Sequence, residues 1–327
     1  MVDMGIGIGF VGLGGIARTH LETVSSIPDA DIRAVYDIDE RAVKRAAEHW
    51  QATPVTDLDS LVTHPGIDAV FICVPPDQHG PPERAVAEAG HALFVEKPVA
   101  IETAQARKMS ALLEANDILT QVGHHWRYAP GIEYGRELLR DRTIGYLDGR
   151  WWGAIPGDTD HWWRDANRSG GQIIEQAIHI YDAIRYLSGE VESVCAFGGN
   201  RLIEELDFPD LSSASMRHRD GTVSHVSATS AAVESRIGIE VVAENATLSL
   251  SESSVVGTID GDPIDERSAI DPYEREVLAF LDAVRTGSRD PIRSPYADSI
   301  RSLAVTEAVT ESIHRGEPVD VSEFLCE

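Results

Sequence analysis

Short apolar runs alternate with segments of helical spacing over the first third of the chain. The segments between the runs predict helices, for example at 40–49 and 80–89. Five runs have strand character: 6–11, 32–36, 69–74, 92–96 and 118–122. Strands that are apolar throughout and separated by helices are typical of a parallel sheet covered on both faces. The pattern therefore predicts a doubly wound α/β domain over residues 1–122.

The pattern of apolar positions changes after residue 122. It predicts one amphipathic helix at about 171–187 and two late helices at about 272–286 and 295–315. The segment 252–271 is rich in Ser, Asp, Gly and Pro and is predicted to be a loop. Further strands are predicted at 191–198, 211–218, 222–230, 236–243 and 246–250, with Asp220-Gly221 as a hairpin turn. Because helices and strands come in blocks, residues 123–327 are expected to form an α+β domain. We leave open whether the helix at 295–315 packs back on the first domain.

A glycine-rich turn follows the first predicted strand. It reads Gly-x-Gly-x-x-Ala from Gly12 to Ala17, which suits a dinucleotide pyrophosphate at a helix N-terminus. A second apolar run ends at Asp37, 20 residues beyond Ala17, where a carboxylate is expected to bind the adenosine ribose. An ordinary strand–turn–helix is the alternative interpretation. The two features together favour NAD binding.

The composition narrows the classes of partner. The 327 residues carry a net charge of −26, with only three lysines among 28 basic residues. Such a negative field disfavours nucleic acids and anionic membranes as partners. A salt-rich cytoplasm and an arginine-biased genome are equally good explanations of the charge. Domain size favours two domains rather than one.

The cysteines and the apolar runs bear on the cellular compartment. Cys73, Cys195 and Cys326 are odd in number and far apart, which argues against a disulfide framework and favours a reducing cytoplasm. They also lack the spacing of metal ligands. No apolar stretch approaches the roughly 20 residues of a membrane span. We expect a cytoplasmic enzyme.

One of the three lysines follows a predicted strand, in Glu96-Lys97-Pro98. Ligands of an open parallel sheet bind beyond the carboxyl ends of its strands, so Lys97 is expected at the edge of the cofactor crevice. A lysine can lose its proton near neutral pH when it is partly buried, whereas an arginine cannot. A solvated surface charge is the alternative. We predict a catalytic role for Lys97.

Glu175 and His179 are four residues apart in the predicted helix at 171–187. Helical geometry would place them on one face, where the carboxylate orients the imidazole for proton transfer. An exposed ion pair of small energetic value is one alternative. A metal site that includes His124, His125 or His161 is another, although hydride chemistry requires no metal. We predict a proton-transfer pair and no metal.

Five of the six tryptophans lie between residues 126 and 163. Two of them are adjacent, at Trp151 and Trp152, and another pair is at Trp162 and Trp163. Neighbouring side chains of a strand point to opposite sides, so one member of each pair is expected to line a pocket or an interface. Indole rings suit a polyhydroxylated ligand with apolar faces, and subunit contact is an equal alternative.

Together these motifs resemble the Gfo/Idh/MocA family of NAD(P)-dependent oxidoreductases, which includes glucose–fructose oxidoreductase and inositol dehydrogenase. Four segments carry the resemblance in order: the fingerprint from Gly12 to His20, Pro75 to His79, Glu96-Lys97-Pro98, and Trp126 to Pro130. The resemblance implies an N-terminal Rossmann domain and a C-terminal domain with a large, mostly antiparallel open sheet. It also implies a homodimer or homotetramer that assembles through that sheet.

The resemblance assigns roles to individual residues. It implies that Lys97 and His179 are catalytic, with Glu175 beside them, where the family usually has Asp. Cofactor contacts are expected at Gly12, Leu13, Gly14, Gly15, Ile16, Asp37, Val74, Pro75, His79, Glu96 and Lys97. Substrate contacts are expected at Lys97, Arg127, Trp152, Glu175 and His179. The glutamate at 175 leaves the substrate class open more than the reaction type.

These observations predict an NAD-dependent dehydrogenase that oxidises a secondary alcohol of a sugar, sugar derivative or cyclitol. NAD is expected to be preferred over NADP because Asp37 would repel a 2′-phosphate. Two alternatives remain open at this point. One is a lyase or glycosidase that reduces NAD only transiently and then recycles it. The other is a non-catalytic NAD-binding sensor.

Overall fold

The computed structural model describes residues 5–157 and 161–325, and within them the chain forms two compact units. The first unit consists of the described residues up to Ala100, Gln105–His125 and Tyr273–Asp298. The second consists of Ile101–Ala104, Trp126–Pro272 and the described residues from Ser299 onward. Cys326 lies outside the described residues.

The first unit contains a six-stranded sheet in which every neighbouring pair is parallel. Its strands are β1 (Ile6–Val11), β2 (Ala30–Tyr36), β3 (Thr53–Pro54), β4 (Ala69–Ile72), β5 (Ala92–Val95) and β6 (Thr120–Val122). Their order in space is β3-β2-β1-β4-β5-β6. All residues of β1 and β4 are buried, as expected for strands covered on both faces. This order reverses direction at β1, which is the doubly wound arrangement that was predicted.

Helices follow the strands of this sheet in alternation. They are α1 (Gly15–Ser25), α2 (Glu40–Trp50), α3 (Leu58–Val62), α4 (Pro81–Ala89) and α5 (Thr103–Ala115). α2 begins where the side chain of Asp39 accepts the Arg41 N–H, and α4 begins with two prolines. Both are favourable starts for a helix.

The second unit is built on a nine-stranded sheet. Its strands are β7 (Ile144–Ala154), β8 (Val191–Gly199), β9 (Leu211–His218), β10 (Val223–Thr229), β11 (Ala231–Ala243), β12 (Ala246–Leu250), β13 (Ser254–Ile259), β14 (Asp262–Arg267) and β15 (Val319–Asp320). Their order is β14-β13-β12-β11-β7-β10-β9-β8-β15. The β7–β10 pair is parallel and the other pairs are antiparallel. The predicted large, mostly antiparallel sheet is confirmed.

The remaining helices flank this sheet or complete the first unit. They are α6 (Pro130–Leu139), α7 (Ala166–Ser169), α8 (Gly171–Glu175), α9 (Ile178–Ser188), α10 (Pro272–Thr286), α11 (Tyr296–Arg315) and α12 (Ser322–Leu325). The prediction of one helix over 171–187 is wrong, because α8 ends at Glu175 and α9 begins at Ile178. The N–H groups of Gln176 and Ala177 both donate to the Gln172 carbonyl oxygen, at 3.0 and 2.9 Å. This shared acceptor interrupts the regular helical bonding.

The segment 252–271 forms a hairpin, β13–β14, and not the predicted loop. The six residues of β14 carry polar or small side chains except Ile264, and this edge strand is mostly exposed. Its hydrogen bonds to β13 hold it in the sheet even though it has no apolar face. The loop was predicted because the segment is rich in Ser, Asp, Gly and Pro, and these residues are compatible with an exposed edge hairpin.

The predicted boundary at residue 122 assigned α10 to the second domain. The structure groups Tyr273–Asp298 with the first unit instead. Val277, Phe280 and Leu281 of α10 are buried in the core that contains Phe71 and Phe94. The Phe280 ring meets those two rings edge-on, at centroid distances of 5.4 and 5.6 Å. From Ser299 onward the chain belongs to the second unit, and four residues of α11 enter its core: Ala304, Val305, Ala308 and Val309.

The two faces of the nine-stranded sheet differ. One face packs against α9 and α11 in the core of the second unit. The opposite face exposes apolar side chains, including Tyr146, Phe197, Val223 and Val242. Within the described part of the chain, no helix has the length and apolarity needed to cross a membrane.

Candidate active site

The glycine-rich turn joins β1 to α1 in the first unit. Gly12 has φ +84°, and a Cβ at this position would lie 2.3 Å from the Cys73 carbonyl oxygen and 3.0 Å from Val74 Cγ1. Only glycine fits both the conformation and the contact. The turn is therefore held close to the end of β4, beside two of the residues expected to contact the cofactor, Val74 and Pro75.

Two further glycines of this turn have no such internal explanation. A Cβ built on Gly14 or Gly15 meets no other described atom within 4 Å. Gly14 caps α1 without a side-chain hydrogen bond, and the first turn of α1 carries no acidic residue. Free N–H groups and open space at a helix N-terminus fit a pyrophosphate. These residues therefore suit the predicted dinucleotide.

Asp37 follows β2 and contacts the same turn. Its Oδ2 accepts the Leu13 N–H at 2.7 Å, and its Oδ1 accepts the Asp39 N–H at 2.8 Å. A carboxylate has about four acceptor positions, so both oxygens retain capacity for ribose hydroxyls. Asp37 thus fixes the turn and presents negative charge at its edge.

A cavity of about 810 Å³ borders Asp37. Its lining combines apolar and polar side chains and includes Tyr36, Ile38, Val43, Pro54 and Thr56. Ile38 is 90% exposed although it is aliphatic. The size and the mixed lining suit an adenosine group.

Lys97 is the second residue after β5 and follows a member of a buried acid–imidazole pair. Glu96 Oε1 is 2.7 Å from His20 Nε2, and Glu96 Oε2 accepts the Lys97 N–H at 3.1 Å. Burial alone would raise the pKa of Glu96, but the hydrogen bond and charge of His20, with Lys97 and His125, hold this pKa below its usual range. Glu96 is therefore ionised and fixes the backbone at Lys97.

His79 lies two residues before α4 and is buried. Its Nδ1 is hydrogen-bonded to Glu83 Oε1, and the other oxygen of Glu83 accepts the Gly80 N–H at 2.5 Å. Gln105 donates to the His79 carbonyl oxygen at 2.9 Å. The imidazole thus anchors the start of α4, and a cofactor contact by His79 stays a prediction.

In the second unit, His179 lies in the first turn of α9 and is 5% exposed. Its imidazole stacks on the Trp151 indole, with ring centroids 5.2 Å apart and planes inclined by 26°. Trp151 belongs to β7 at the centre of the nine-stranded sheet. A rigid strand therefore sets the orientation of the predicted base.

The Glu175 carboxylate, which ends α8, accepts hydrogen bonds from two neighbouring side chains. Glu175 Oε2 accepts the Trp163 Nε1–H and the Gln176 Nε2–H, the latter at 2.8 Å. Gln176 Oε1 in turn accepts the Trp151 Nε1–H at 3.0 Å. Residues from β7, the helical turn at Trp162–Arg164 and the α8–α9 junction are joined by this network.

Arg127 is buried and makes a bidentate pair with Asp182, one turn after His179 on α9. The Nε–Oδ2 and Nη2–Oδ1 distances are 2.9 and 2.6 Å. Ser302 of α11 donates to the same Asp182 at 2.5 Å. This paired geometry fixes α9, so the structure gives Arg127 a positioning role, whereas its substrate contact stays a prediction.

Trp152 lies on the opposite face of β7 from Trp151. Its Nε1–H donates to Ser227 Oγ of β10 at 3.0 Å. Alternation along the strand places it on the sheet face opposite α9. Trp151 is therefore the tryptophan of this pair that lies against the predicted base, and the expected substrate contact of Trp152 is not supported by this placement.

Two of the histidines considered as metal ligands have other contacts within their own units. His125 stacks on Tyr273 in the first unit, at 4.3 Å between centroids, and His161 caps the turn at Trp162–Arg164. Among the described residues, no group of three or more His, Cys, Asp or Glu side chains is arranged to hold a metal ion.

Comparison with known proteins assigns both halves of the chain to one family. The profile of an oxidoreductase family with an NAD-binding Rossmann fold matches residues 6–124, and the GFO/IDH/MocA C-terminal domain matches residues 135–249. The chain belongs to the Gfo/Idh/MocA family of oxidoreductases. The predicted family membership, α/β fold and oxidoreductase class are confirmed.

Relatives within the Gfo/Idh/MocA family match over nearly the whole chain. The scyllo-inositol 2-dehydrogenase (NAD(+)) of Bacillus subtilis is 28% identical, over 95% of each chain. A proposed NADPH-dependent oxidoreductase from Desulfitobacterium hafniense shares the fold with a TM-score of 0.90 and 18% identity, covering 98% of this chain and 99% of the other. Levoglucosan dehydrogenase, in complex with NADH and L-sorbose, has a TM-score of 0.88 and 19% identity, covering 97% and 99%.

Sequence reasoning missed several residues that build the site. Trp163 and Gln176 contact Glu175, Asp182 holds Arg127, and His20 holds Glu96. Each contact except that of Gln176 joins residues distant in the chain. Two signals were available: His20 belongs to the fingerprint segment, and Trp163 belongs to one of the two adjacent tryptophan pairs.

Proposed function

We propose that this chain is an NAD-dependent dehydrogenase that oxidises a secondary alcohol of a sugar, sugar derivative or cyclitol. The observation that carries cofactor binding is the turn at Gly14 and Gly15, where a Cβ would fill otherwise open space before a helix N-terminus. The inositol dehydrogenase of Bacillus subtilis, similar over 95% of this chain, supports the substrate class.

The residues that would hold NAD are the glycine turn for the pyrophosphate and Asp37 for the ribose. Bound NAD supplies a hydride acceptor at its nicotinamide ring. The negative charge of Asp37 supports a preference for NAD, because a 2′-phosphate would meet a like charge there. Asp39 and Glu40 follow in sequence and add negative charge.

In the proposed reaction, His179 accepts the proton of the substrate hydroxyl. The Lys97 ammonium stabilises negative charge that develops on the substrate oxygen. Glu175 supports this step through its hydrogen bonds to Trp163 and Gln176 at the α8–α9 junction. Lys97 itself is held by the strand end at β5 and by its N–H bond to Glu96.

We also propose that a second copy of this chain covers the exposed face of the nine-stranded sheet. By register, Val223 and Val242 lie on either side of Tyr146 on this face, and all three are exposed. Light scattering coupled to size-exclusion chromatography tests this, with a dimer or tetramer expected for the native chain. A monomer at micromolar concentration would contradict it.

A screen of sugars and cyclitols with NAD tests the proposed reaction, because NADH absorbance reports net oxidation. We expect NADH to accumulate with at least one cyclitol or sugar. Substrate conversion without NADH would favour a lyase or glycosidase that recycles its cofactor. NAD binding without any conversion would favour a sensor.

A further inference from the structure

The chain has a glutamate at position 175, and the contacts of that side chain are distinctive. Glu175 is 8% exposed, and its Oε2 accepts hydrogen bonds from the Trp163 indole and the Gln176 amide. Hydrogen bonds to a carboxylate are about twice as strong as those between neutral groups. The Glu175 side chain is therefore tied to residues on both sides of it in the fold.

Gln176 extends this contact to β7. Its Oε1 accepts the Trp151 Nε1–H at 3.0 Å while its Nε2 donates to Glu175 at 2.8 Å. An indole N–H can only donate and an ionised carboxylate can only accept. An amide is the side chain that satisfies both neighbours, and this pairing fixes which end of the amide faces each of them.

Trp151 links the network to His179. The stacked rings, 5.2 Å apart with planes inclined by 26°, place the imidazole against a flat surface. Trp151 cannot rotate away without losing its bond to Gln176. The indole therefore restricts the directions in which His179 can point.

The other end of the network is also fixed. The Trp163 ring is 2% exposed and meets the Phe208 ring edge-on, with centroids 5.5 Å apart. Phe208 packs on Gly171, where φ is +78° and a Cβ would lie 2.8 Å from the Phe208 ring. Gly171, the first residue of α8, thus lets Phe208 pack closely, and Phe208 in turn supports the Trp163 ring that donates to Glu175.

We propose that Trp163, Gln176 and Trp151 are positioning residues that act through Glu175 and His179 to orient the His179 imidazole. This inference rests on the proposed role of His179 as the base. In this network the glutamate side chain, which is one methylene longer than an aspartate, is long enough to extend from the end of α8 to the Trp163 indole. Gln176 lies at the interruption between α8 and α9, and its two hydrogen bonds fix the backbone there relative to β7.

Two substitutions separate the hydrogen bonds from the bulk of the side chains. Gln176→Met keeps the length of residue 176 but removes both bonds, and Trp151→Phe keeps an aromatic ring but removes the donor. Each should lower kcat between about tenfold and a hundredfold, since a displacement of about 1 Å has that effect on positioned groups. KM should stay within about threefold of the native value, because only the transition state requires the orientation.

The double variant Gln176→Met/Trp151→Phe distinguishes a network from two separate effects. Residues of one network are non-additive, so the double variant should lose little more than either single variant. Ser227→Ala is the matched control: it removes the acceptor of the neighbouring indole, Trp152, on the opposite face of β7. Its kcat should equal that of the native chain.

A measurement without turnover keeps the inference independent of the substrate. In a histidine-labelled protein, the His179 ring resonance is assigned by its loss in His179→Ala. Ring currents from Trp151 should shift it, and Gln176→Met should move it while Ser227→Ala leaves it in place. A resonance and a kcat that Gln176→Met leaves unchanged would overturn the positioning role, even if His179→Ala abolishes turnover. If Gln176→Met moves the resonance while His179→Ala retains full activity, the positioning contact is real but the proposed function is overturned.

Discussion

The two units fix their functional residues by different means. In the first unit, Gly12, Asp37 and Lys97 occupy strand ends, and the backbone of a parallel sheet sets their positions. In the second unit, His179 depends on side chains contributed by β7 and by the turn at Trp162–Arg164. A functional residue that is positioned by the backbone can be predicted from the local sequence. A functional residue that is positioned by side-chain contacts can be identified only once the fold is known.

This difference predicts different responses to mutation. A strand end holds a residue whatever its neighbouring side chains are, so changes around the glycine turn should affect mainly cofactor affinity. A hydrogen-bonded network transmits the loss of one member to the others. Changes in the second unit should therefore affect turnover with little effect on NAD binding.

The largest expected effect comes from the two proposed catalytic groups. Lys97→Met removes the ammonium and keeps much of the stem, and His179→Ala removes the base. Each should lower kcat by about 10²–10⁴, the usual contribution of acid–base catalysis, because each removes a group that handles the substrate proton. Steady-state kinetics on both variants measure this.

NAD affinity provides the control for both variants. It should stay near the native value by calorimetry, because the contacts to the pyrophosphate and ribose come from other residues. Either variant that retains most of its turnover would exclude that residue from the chemistry. Loss of NAD binding in both would show that they report on folding.

A smaller effect is expected in cofactor choice. At about 4 Å and an effective dielectric of 20, a 2′-phosphate beside Asp37 is opposed by up to about 4 kcal/mol per unit charge. The ratio of kcat/KM values for NAD and NADP should therefore favour NAD, and Asp37→Asn should reduce that preference. Equal values for the native chain would remove the role given to Asp37.

Substitutions at Glu175 separate the charge of the side chain from its length. Each is expected to lower kcat by about tenfold. Glu175→Gln keeps the length and a carbonyl oxygen that can accept the Trp163 N–H. Glu175→Asp keeps the charge but shortens the side chain. If length is what matters, Glu175→Asp lowers kcat more than Glu175→Gln does; the reverse order in a kinetic comparison would assign the role to charge.

The smallest effect on turnover, and a clear one on stability, is expected for Glu96→Gln. Removing one partner of the buried pair with His20 should cost on the order of 3 kcal/mol of unfolding free energy at neutral pH. The pKa of Glu96 is lowered in the folded state, so its contribution is present above the unfolded pKa and is lost as the pH falls through the folded value. The unfolding free energies of the native protein and Glu96→Gln, measured with urea, should thus converge below about pH 4. A constant difference between them down to pH 3 would contradict this.

The sequence predicted the first unit better than the second for physical reasons. β1, β4 and β5 are apolar and mostly buried, and the glycine turn has a fixed spacing, so these features are visible in the local sequence. The two-residue strand β3 is exposed and was not predicted. The break at Gln176 was missed because Ile174 and Ile178 continue the helical spacing across it. β14 was missed because its edge position requires few apolar residues.

The candidate site shows the same division. Gly12, Asp37 and Lys97 could be identified from their positions after predicted strands. The bond between Trp163 and Glu175 could not, since it depends on the course of the chain through the second unit. Trp151 and Trp152 could be recognised as a pair, but which of them faces His179 depends on the register of β7.

The most direct test of hydride transfer uses a substrate from the screen, deuterated at every carbon, with NAD and the native protein. Mass spectrometry of the reduced cofactor should show one deuterium per molecule, in amounts equal to the oxidised product. Product without deuterated NADH would contradict the account and leave a reaction in which the hydride returns to the substrate.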